Sequence, residues 1–350
     1  MPESIVSIAS RKIGPGHSPY VIAELSGNHN GDINRAFEIM AAAQQAGADA
    51  VKLQTYTADT ITIDHDGPGF TIEGGLWGGK KLYQLYQEAF TPWEWHKALF
   101  KKGQELGITV FSTPFDATAV DFLEELEAPA YKIASFEMVD LALIEKVAAT
   151  GKPLIISTGM ANADEIEEAV GAARQGGCEE LILLHCVSGY PTPSEEANLR
   201  VIPVLSDRYG VPIGLSDHTQ GVITAVTSVG LGATVIEKHV TLRRSDGGPD
   251  AAFSLEPHEL ELLCRDVKIA WASLGRADFT QTLSEQQSLI FRRSLYVVRD
   301  MEAGEFFTAE NVRSIRPGYG MAPKYLSKII GRRAVSRIER GTPLAWSLVE

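Results

Sequence analysis

Residues 130–158, AYKIASFEMVDLALIEKVAATGKPLIIST, set out one structural unit. The apolar run at 130–133 is too short for a helix. A polar turn follows, 141–149 places apolar residues at helical spacing, and a glycine-containing turn leads into a second apolar run at 153–156. Strand, helix and strand in that order describe two parallel strands joined by a crossover helix. Short, continuously apolar strands are what a parallel sheet covered by helices requires.

The unit recurs in both directions. Strand-like runs lie at 20–24, 50–53, 108–111, 181–184, 212–215 and 234–236, and helical patterns at 34–46, 92–106, 117–126, 163–174, 195–209, 222–229 and 257–274. Eight strand–helix units in about 275 residues favour a closed TIM (β/α)8 barrel over an open doubly wound sheet. The barrel domain is read as 1–276, a polar linker as 277–290 and a small C-terminal domain as 291–350. The last has a strand at 294–298, turns at Gly304, Gly331 and Gly341, and Thr308 as a cap for a short helix. At about 60 residues it is marginal alone and is expected to lean on the barrel or a partner. The connection 55–91 is long for a barrel loop and holds Gly67, Gly69, Gly74, Gly75, Gly78 and Gly79. It reads either as a peripheral insertion or as a lid over the active face.

With 350 residues, 44% of them hydrophobic, the chain is long enough for a large core. Its 45 acidic residues against 32 basic ones leave a net charge of −13, without a long basic tract or paired Cys/His finger spacing, so no nucleic-acid partner is expected. The charge-free stretch 218–236 is interrupted by Gly221, Gly230, Gly232 and threonines; a strand and helix explain it better than a membrane span. No basic segment followed by an apolar one opens the sequence, so secretion is not expected. Cys178, Cys186 and Cys264 lack framework or metal-cluster spacing, which fits a reducing, cytoplasmic setting.

Polar side chains gather at or just after the carboxyl ends of the strands: Glu24, Lys52 with Gln54, Thr113 with Phe115, Lys132 with Ser135, Ser157 with Thr158, His185, Ser216 with His218, and Glu237 with His239. In a barrel those ends open on one face, and a single pocket collects them. Lys52 and Lys132 beside Ser135, Ser157 and Ser216 suit a phosphate or another oxyanion; for either lysine alone, a structural ion pair with Glu24, Glu137 or Glu237 is an equally good explanation. Glu24, after an apolar strand, needs a cation or hydrogen-bond partner. It either moves a proton or orients water, or merely fixes Lys52 or a glycine-rich loop. His29 shapes the first loop or contacts substrate.

His218 and His239 lie 21 positions apart but follow adjacent strands. Neighbouring strands run ~4.8 Å apart, so two imidazoles could ligate one divalent ion, with water and substrate oxygens completing an open Lewis-acid site.

In combination these residues resemble a known family. IAELSGNHNG (22–31), VKLQTY (51–56), STPFD (112–116), YKIAS (131–135), ISTGM (156–160), YPTP (190–193), GLSDHT (214–219) and IEKH (236–239) are similar to the sialic-acid-type synthases, which condense phosphoenolpyruvate with an amino sugar. Each motif alone is weak; together they span nearly the whole barrel. Residues 292–316 and RPG at 316–318 resemble the family's antifreeze-like C-terminal domain.

The resemblance implies that Lys52, Lys132, Ser135, Ser157 and Ser216 contact phosphoenolpyruvate, that His218 and His239 hold manganese, and that Glu24 lines the substrate region, where the mechanistic expectation is that it positions or activates the attacking water. Gln54, Thr113, Phe115, Tyr190, Glu237 and Asp250 are implied to line the substrate region. It further implies a domain-swapped homodimer in which Arg316 enters the partner's sugar site. Ser188 and Gly189 stand where the neuraminate-type enzymes carry Asn–Ile, so a phosphate contact is expected to differ there. GLWGGKKLYQLYQEAFTPWEWH (75–96) and GGPDAAFSLEP (247–257) are most similar to the pseudaminic-acid branch, whose acceptor is 2,4-diacetamido-2,4,6-trideoxy-L-altrose. The alternatives are N-acetylneuraminate or legionaminate synthesis, an aldolase using Lys132 or Lys52 as a Schiff-base nucleophile, and a non-enzymatic sugar-binding or assembly module.

Overall fold

A computed structural model describes residues 4–350, and the chain divides into two compact units, Met1–Gly275 and Arg276–Glu350. The first opens with a hairpin, β1 (Val6–Ile8) and β2 (Arg11–Ile13). Eight strands follow: β3 (Tyr20–Glu24), β4 (Ala50–Thr55), β5 (Thr109–Pro114), β6 (Tyr131–Ile133), β7 (Leu154–Ser157), β8 (Leu181–Cys186), β9 (Ile213–Asp217) and β10 (Val235–His239). All pair in parallel and in chain order, and β10 closes on β3, so the expected eight-stranded barrel forms.

Side-chain alternation along these strands places the site. Successive residues point to opposite faces of a strand, so Ile22, Ala50, Ala130, Ile155, Leu184 and Val235 pack in the barrel interior. Two positions further on, the same inward columns reach Glu24, Lys52, Lys132, Ser157, Cys186 and Glu237. Each column is thus apolar below and polar at its carboxyl end. The outward set, including Val21, Ala23, Val51, Leu53, Ile133, Ile156, Leu183 and Ile236, packs against the helical layer. Glycine permits that contact at one tight point, because a Cβ on Gly103 of helix Trp93–Leu106 would sit 3.1 Å from the Ile108 carbonyl and closer still to Val110.

The hairpin stoppers the other end of the barrel. Val6, Ile8 and Ile13 join the interior cluster, and the Ser7 amide donates to Glu180 Oε1 at 2.8 Å, just ahead of β8. Sequence reading missed this hairpin: each strand is three residues long, and its turn uses Ala9 and Ser10 at φ 46° and 70° without glycine. The helix expected at 195–209 is also corrected. It is a short turn, Ser194–Glu196, and a separate helix, Val201–Tyr209; Asn198 between them, at φ 45°, breaks the helical path.

The second unit holds an antiparallel pair, β11 (Ser294–Val297) and β12 (Val312–Ile315). Leu295, Val297, Met301, Phe307, Val312, Ile329, Ile338 and Leu344 form its core. Thr308 caps a turn rather than the expected helix, with its hydroxyl accepting from the Glu310 amide at 3.2 Å. Among the described residues no helix is long and apolar enough to cross a membrane.

Candidate active site

A cavity of about 530 Å³ opens at the carboxyl ends of the barrel strands. Its floor carries Glu24, Lys52, Gln54, Lys132, Ser135, Ser157, Ser216 and Glu237, and Phe115, Tyr190, His218, His239 and Asp250 also line it. Most of the residues singled out on separate strands therefore converge, Thr113, Thr158 and His185 excepted.

The floor is a buried charge network. Lys52 Nζ lies 2.7 Å from Glu24 Oε2 and 3.5 Å from Glu237 Oε1, and donates to Thr113 Oγ1 at 3.2 Å. Lys132 Nζ is 4.0 Å from Glu237 Oε1 and donates to the Ile133 carbonyl at 3.0 Å. Gln54 Nε2 donates to Glu24 Oε1 at 2.9 Å and Ser216 Oγ to Glu237 Oε1 at 3.1 Å. The ion-pair reading of the lysines is therefore seen directly, and both lysines also line the cavity.

Their proton affinities diverge with position. Burial works against the Lys52 charge, but the Glu237 and Glu24 carboxylates outweigh it and hold its pKa above the usual lysine value. Burial lowers Lys132 below that value, with Glu237 opposing and the Lys52 charge reinforcing the shift. Glu24 is pushed up to about 7 because loss of solvent outweighs the pull of Lys52. A carboxyl titrating there can exchange a proton near neutrality.

Beside the lysines lies a small polar cradle. The Gly159 amide donates to Ser135 Oγ at 3.1 Å, and the Ser157 and Ser188 hydroxyls are buried without a partner among the described residues. A Cβ on Gly159 would fall 2.6 Å from Ser135 Oγ and against Ser188 Oγ, so only glycine leaves this corner open. Of the two, Ser157 lines the cavity, and an unspent buried hydroxyl facing a cavity is suited to a ligand oxyanion.

The other end of the cavity is aromatic. Tyr190 lies 4.4 Å from His218 and 5.3 Å from Phe253 between ring centres, and His239 lies 4.9 Å from Phe253. Ser26 donates to Asp250 Oδ2, whose carboxyl burial pushes up. Burial, reinforced by the neighbouring His218 and Lys52 charges, holds His239 well below the ordinary histidine value, which keeps it neutral.

For a metal the donors do not fit. Among the described residues no group of three or more His, Cys, Asp or Glu side chains is placed to hold an ion. His218 turns Nδ1 to the Val187 carbonyl at 3.0 Å and lies 3.8 Å from the Cys186 thiol. Asp250 is engaged by Ser26, and Glu237 by Lys52, Lys132 and Ser216. The expectation of a divalent-metal cofactor, manganese at His218 and His239, is corrected accordingly: the imidazoles are neighbours, 5.4 Å apart between ring centres, and although Asp250 Oδ2 lies 3.6 Å from His239 Nδ1, no third side chain among the described residues completes a set placed to hold an ion.

Strand alternation also sorts the other candidates. His185 and Thr158 fall on outward positions; His185 Nε2 meets the Ala197 carbonyl at 2.8 Å, and Thr158 Oγ1 donates to the Leu184 carbonyl at 3.2 Å. Thr113 is buried behind Lys52. His29 is a loop-shaping residue: its Nδ1 accepts from the Gly31 amide at 3.1 Å and its ring stands edge-on to Trp95. Arg316 lies exposed in the second unit, directly after β12. Sequence reasoning missed Ser26, Tyr56, Trp77 and Glu137 as cavity residues. Burial pushes Glu137 up to about 7. It sits two residues beyond Ser135 in a loop, where no periodicity marks which side chain turns inward.

The chain is similar to known proteins over most of its length. Residues 39–279 match the NeuB family and residues 292–350 the SAF domain. A pseudaminic acid synthase from Helicobacter pylori is 42% identical over 95% of this chain and 98% of its own length. One from Campylobacter jejuni is 41% identical over 94% and 96%. The crystal structure of an N-acetylneuraminic acid synthetase from Leptospira borgpetersenii, in complex with citrate, superimposes with a TM-score of 0.74 at 33% identity, covering 82% of this chain and 95% of that one. A barrel with this polar mouth, followed by an SAF domain, belongs to the NeuB family of sialic-acid-type synthases.

Proposed function

We propose that this chain is a pseudaminic acid synthase, condensing phosphoenolpyruvate with 2,4-diacetamido-2,4,6-trideoxy-L-altrose and water to give pseudaminic acid and phosphate. The observation that carries the reading is one cavity in which two buried ammonium groups, Lys52 and Lys132, stand beside the Ser135, Ser157 and Ser216 hydroxyls. That is a receptor for a small, highly charged phosphate ester. The similarity to two pseudaminic acid synthases over almost the whole chain supports the acceptor.

In this reading Lys52, Lys132 and the serines hold phosphoenolpyruvate, with Ser188 completing the phosphate side. His218, His239, Tyr190, Gln54, Phe115, Glu237 and Asp250 surround the open-chain sugar, with Thr113 acting through Lys52. The enol carbon attacks the aldehyde, and positive charge develops at the phosphate-bearing carbon. Glu24, ionised, takes a proton from the water that adds there and passes it to the new sugar alkoxide. The tetrahedral adduct then collapses by carbon–oxygen cleavage, its hydroxyl proton leaving with phosphate. Holding both reactants in line and offering fixed charges to the transition state supply the acceleration.

The small domain is read as antifreeze-like, reaching across a cytoplasmic homodimer so that Arg316 enters the partner's sugar site. Mixing Lys132→Ala and Arg316→Ala chains tests this: action in trans restores turnover in mixed dimers, and action in cis leaves them inactive.

The first experiment compares phosphate release with the diacetamido-trideoxy-altrose, its legionaminate-type isomer and N-acetylmannosamine. Preference for either of the latter two replaces the proposed acceptor. Phosphoenolpyruvate labelled at its bridging oxygen should deliver the label to phosphate; label retained in the keto acid would refute carbon–oxygen cleavage. Borohydride trapping of a lysine adduct would favour the aldolase reading, and absence of any product would favour a binding module.

A further inference from the structure

The cavity has two unlike sides. Barrel strands supply the charged floor, whereas Ile61, Ile72, Trp77, Leu82, Leu85 and Tyr86, all from the connection between β4 and β5, supply an apolar one. This connection is anchored on both sides of the mouth. Trp77 Nε1 donates to the Pro249 carbonyl at 2.7 Å, beyond β10, and the Trp77 ring lies 5.5 Å from Tyr190, beyond β8. At its root Tyr56 stands edge-on to Tyr86 and Phe115, at 5.9 and 4.9 Å.

Local structure then aims the apolar residues. Helix Leu82–Ala89 turns Leu82, Leu85, Tyr86 and Ala89 to the cavity, at i, i+3, i+4 and i+7. Ile72 is held by paired backbone bonds, its amide donating to the Lys80 carbonyl and its carbonyl accepting from the Gly79 amide, each at 2.9 Å. The stripe that an amphipathic helix ordinarily buries against a core here lines a ligand space. Ile72, Leu82 and Leu85 have no side-chain hydrogen-bonding group, and the Trp77 N–H is already bonded. A ligand hydroxyl pressed against Ile72, Leu82 and Leu85, away from the Tyr86 phenol, would lose water without replacement, whereas a methyl would gain burial.

We infer that the Ile72–Leu82–Leu85 face is the specificity determinant for a deoxygenated acceptor, receiving the C6 methyl of the sugar and selecting against a C6 hydroxyl. The inference rests on the proposed reaction and adds to it the part of the chain that reads the deoxy position. The test pairs 2,4-diacetamido-2,4,6-trideoxy-L-altrose with the same sugar bearing a C6 hydroxyl, measuring kcat/KM for each with the full-length chain.

The wild-type enzyme should prefer the deoxy sugar by about 10- to 100-fold, since an apolar pocket rejects an added hydroxyl only to roughly that extent. Ile72→Asn and Leu82→Asn, each checked for an unchanged unfolding midpoint, should shrink that ratio about tenfold while the KM for phosphoenolpyruvate stays constant. Equal wild-type turnover of the two altrose sugars, or variants that slow both sugars alike with the ratio intact, would overturn this inference and leave the proposed reaction standing. Preference for N-acetylmannosamine over both altrose sugars would overturn the reaction as well.

Discussion

Lys238 Nζ and Asp217 Oδ2 meet at 2.7 Å behind the active-site wall, both side chains out of contact with solvent. They are register partners on β10 and β9 and point outward where Glu237, His239, Ser216 and His218 point inward. Asp217 Oδ1 also accepts the Thr219 amide at 2.9 Å, and Lys238 donates to the Thr219 carbonyl, so one lysine grips the residues on either side of His218. Removing one partner of a buried pair leaves an uncompensated charge and costs roughly 3–5 kcal/mol. Lys238→Met should lower the urea midpoint accordingly and impair turnover, whereas Asp217→Leu combined with Lys238→Met should regain much of the stability. An unchanged midpoint in Lys238→Met would remove the clamp from the account.

Glu24 should set the acid limb of the pH–rate profile. Burial pushes its carboxyl up to about 7, and the protonated form cannot take a proton from water, so the rate should rise as pH climbs through that value. Glu24→Gln should lower kcat by about 10²- to 10⁴-fold and flatten this limb. Rate measurements from pH 5.5 to 8.5 check both; an acid limb that persists in Glu24→Gln assigns it to another group.

Gly159 should matter to one substrate only. An alanine there would crowd the Ser135 and Ser188 hydroxyls that border the cradle, so Gly159→Ala is expected to raise the KM for phosphoenolpyruvate at least about tenfold and, because the site is buried, to cost about 1–3 kcal/mol of stability through overpacking. Steady-state kinetics with each substrate varied in turn would detect this, and equal effects on both KM values would contradict the assignment.

His96 should contribute to acid sensitivity of the fold. Burial lowers its pKa to about 4, against 6.5 when free, so the unfolded chain binds more protons between those values and stability falls as pH drops through them. The contribution is present above about 6.5, and about 2 kcal/mol of it is lost between pH 7 and 5. Glu24 and Glu137, both raised to about 7, act in the opposite direction, so the comparison must be a difference. His96→Gln, which keeps a polar group near Thr55 and the Pro92 carbonyl, should lose less stability over that interval than the wild type. Identical slopes would refute the contribution.

The recurring strand and helix units were legible in the sequence because parallel strands buried on both faces must be short and apolar, and their helices must carry a stripe at 3.6-residue spacing. The polar residues at the strand ends were legible for a related reason: a charge after an apolar run has no place in the barrel core and can only emerge at its mouth. Which of them face inward follows from two-residue alternation, and that count separates Lys132 and Glu237 from His185 and Lys238.

Contacts far apart in the sequence were decided only in three dimensions. The hairpin stopper depends on Glu180 bonding Ser7 across the barrel base, and the apolar cavity wall depends on Trp77 reaching Pro249. A histidine pair on adjacent strands reads as a metal site in sequence, yet the third donor is withheld because Asp250 and Glu237 are engaged by Ser26 and the lysines. Periodicity reports which face a side chain takes, because that is a property of the local backbone; what meets it there is set by chain closure over hundreds of residues, which local spacing does not encode.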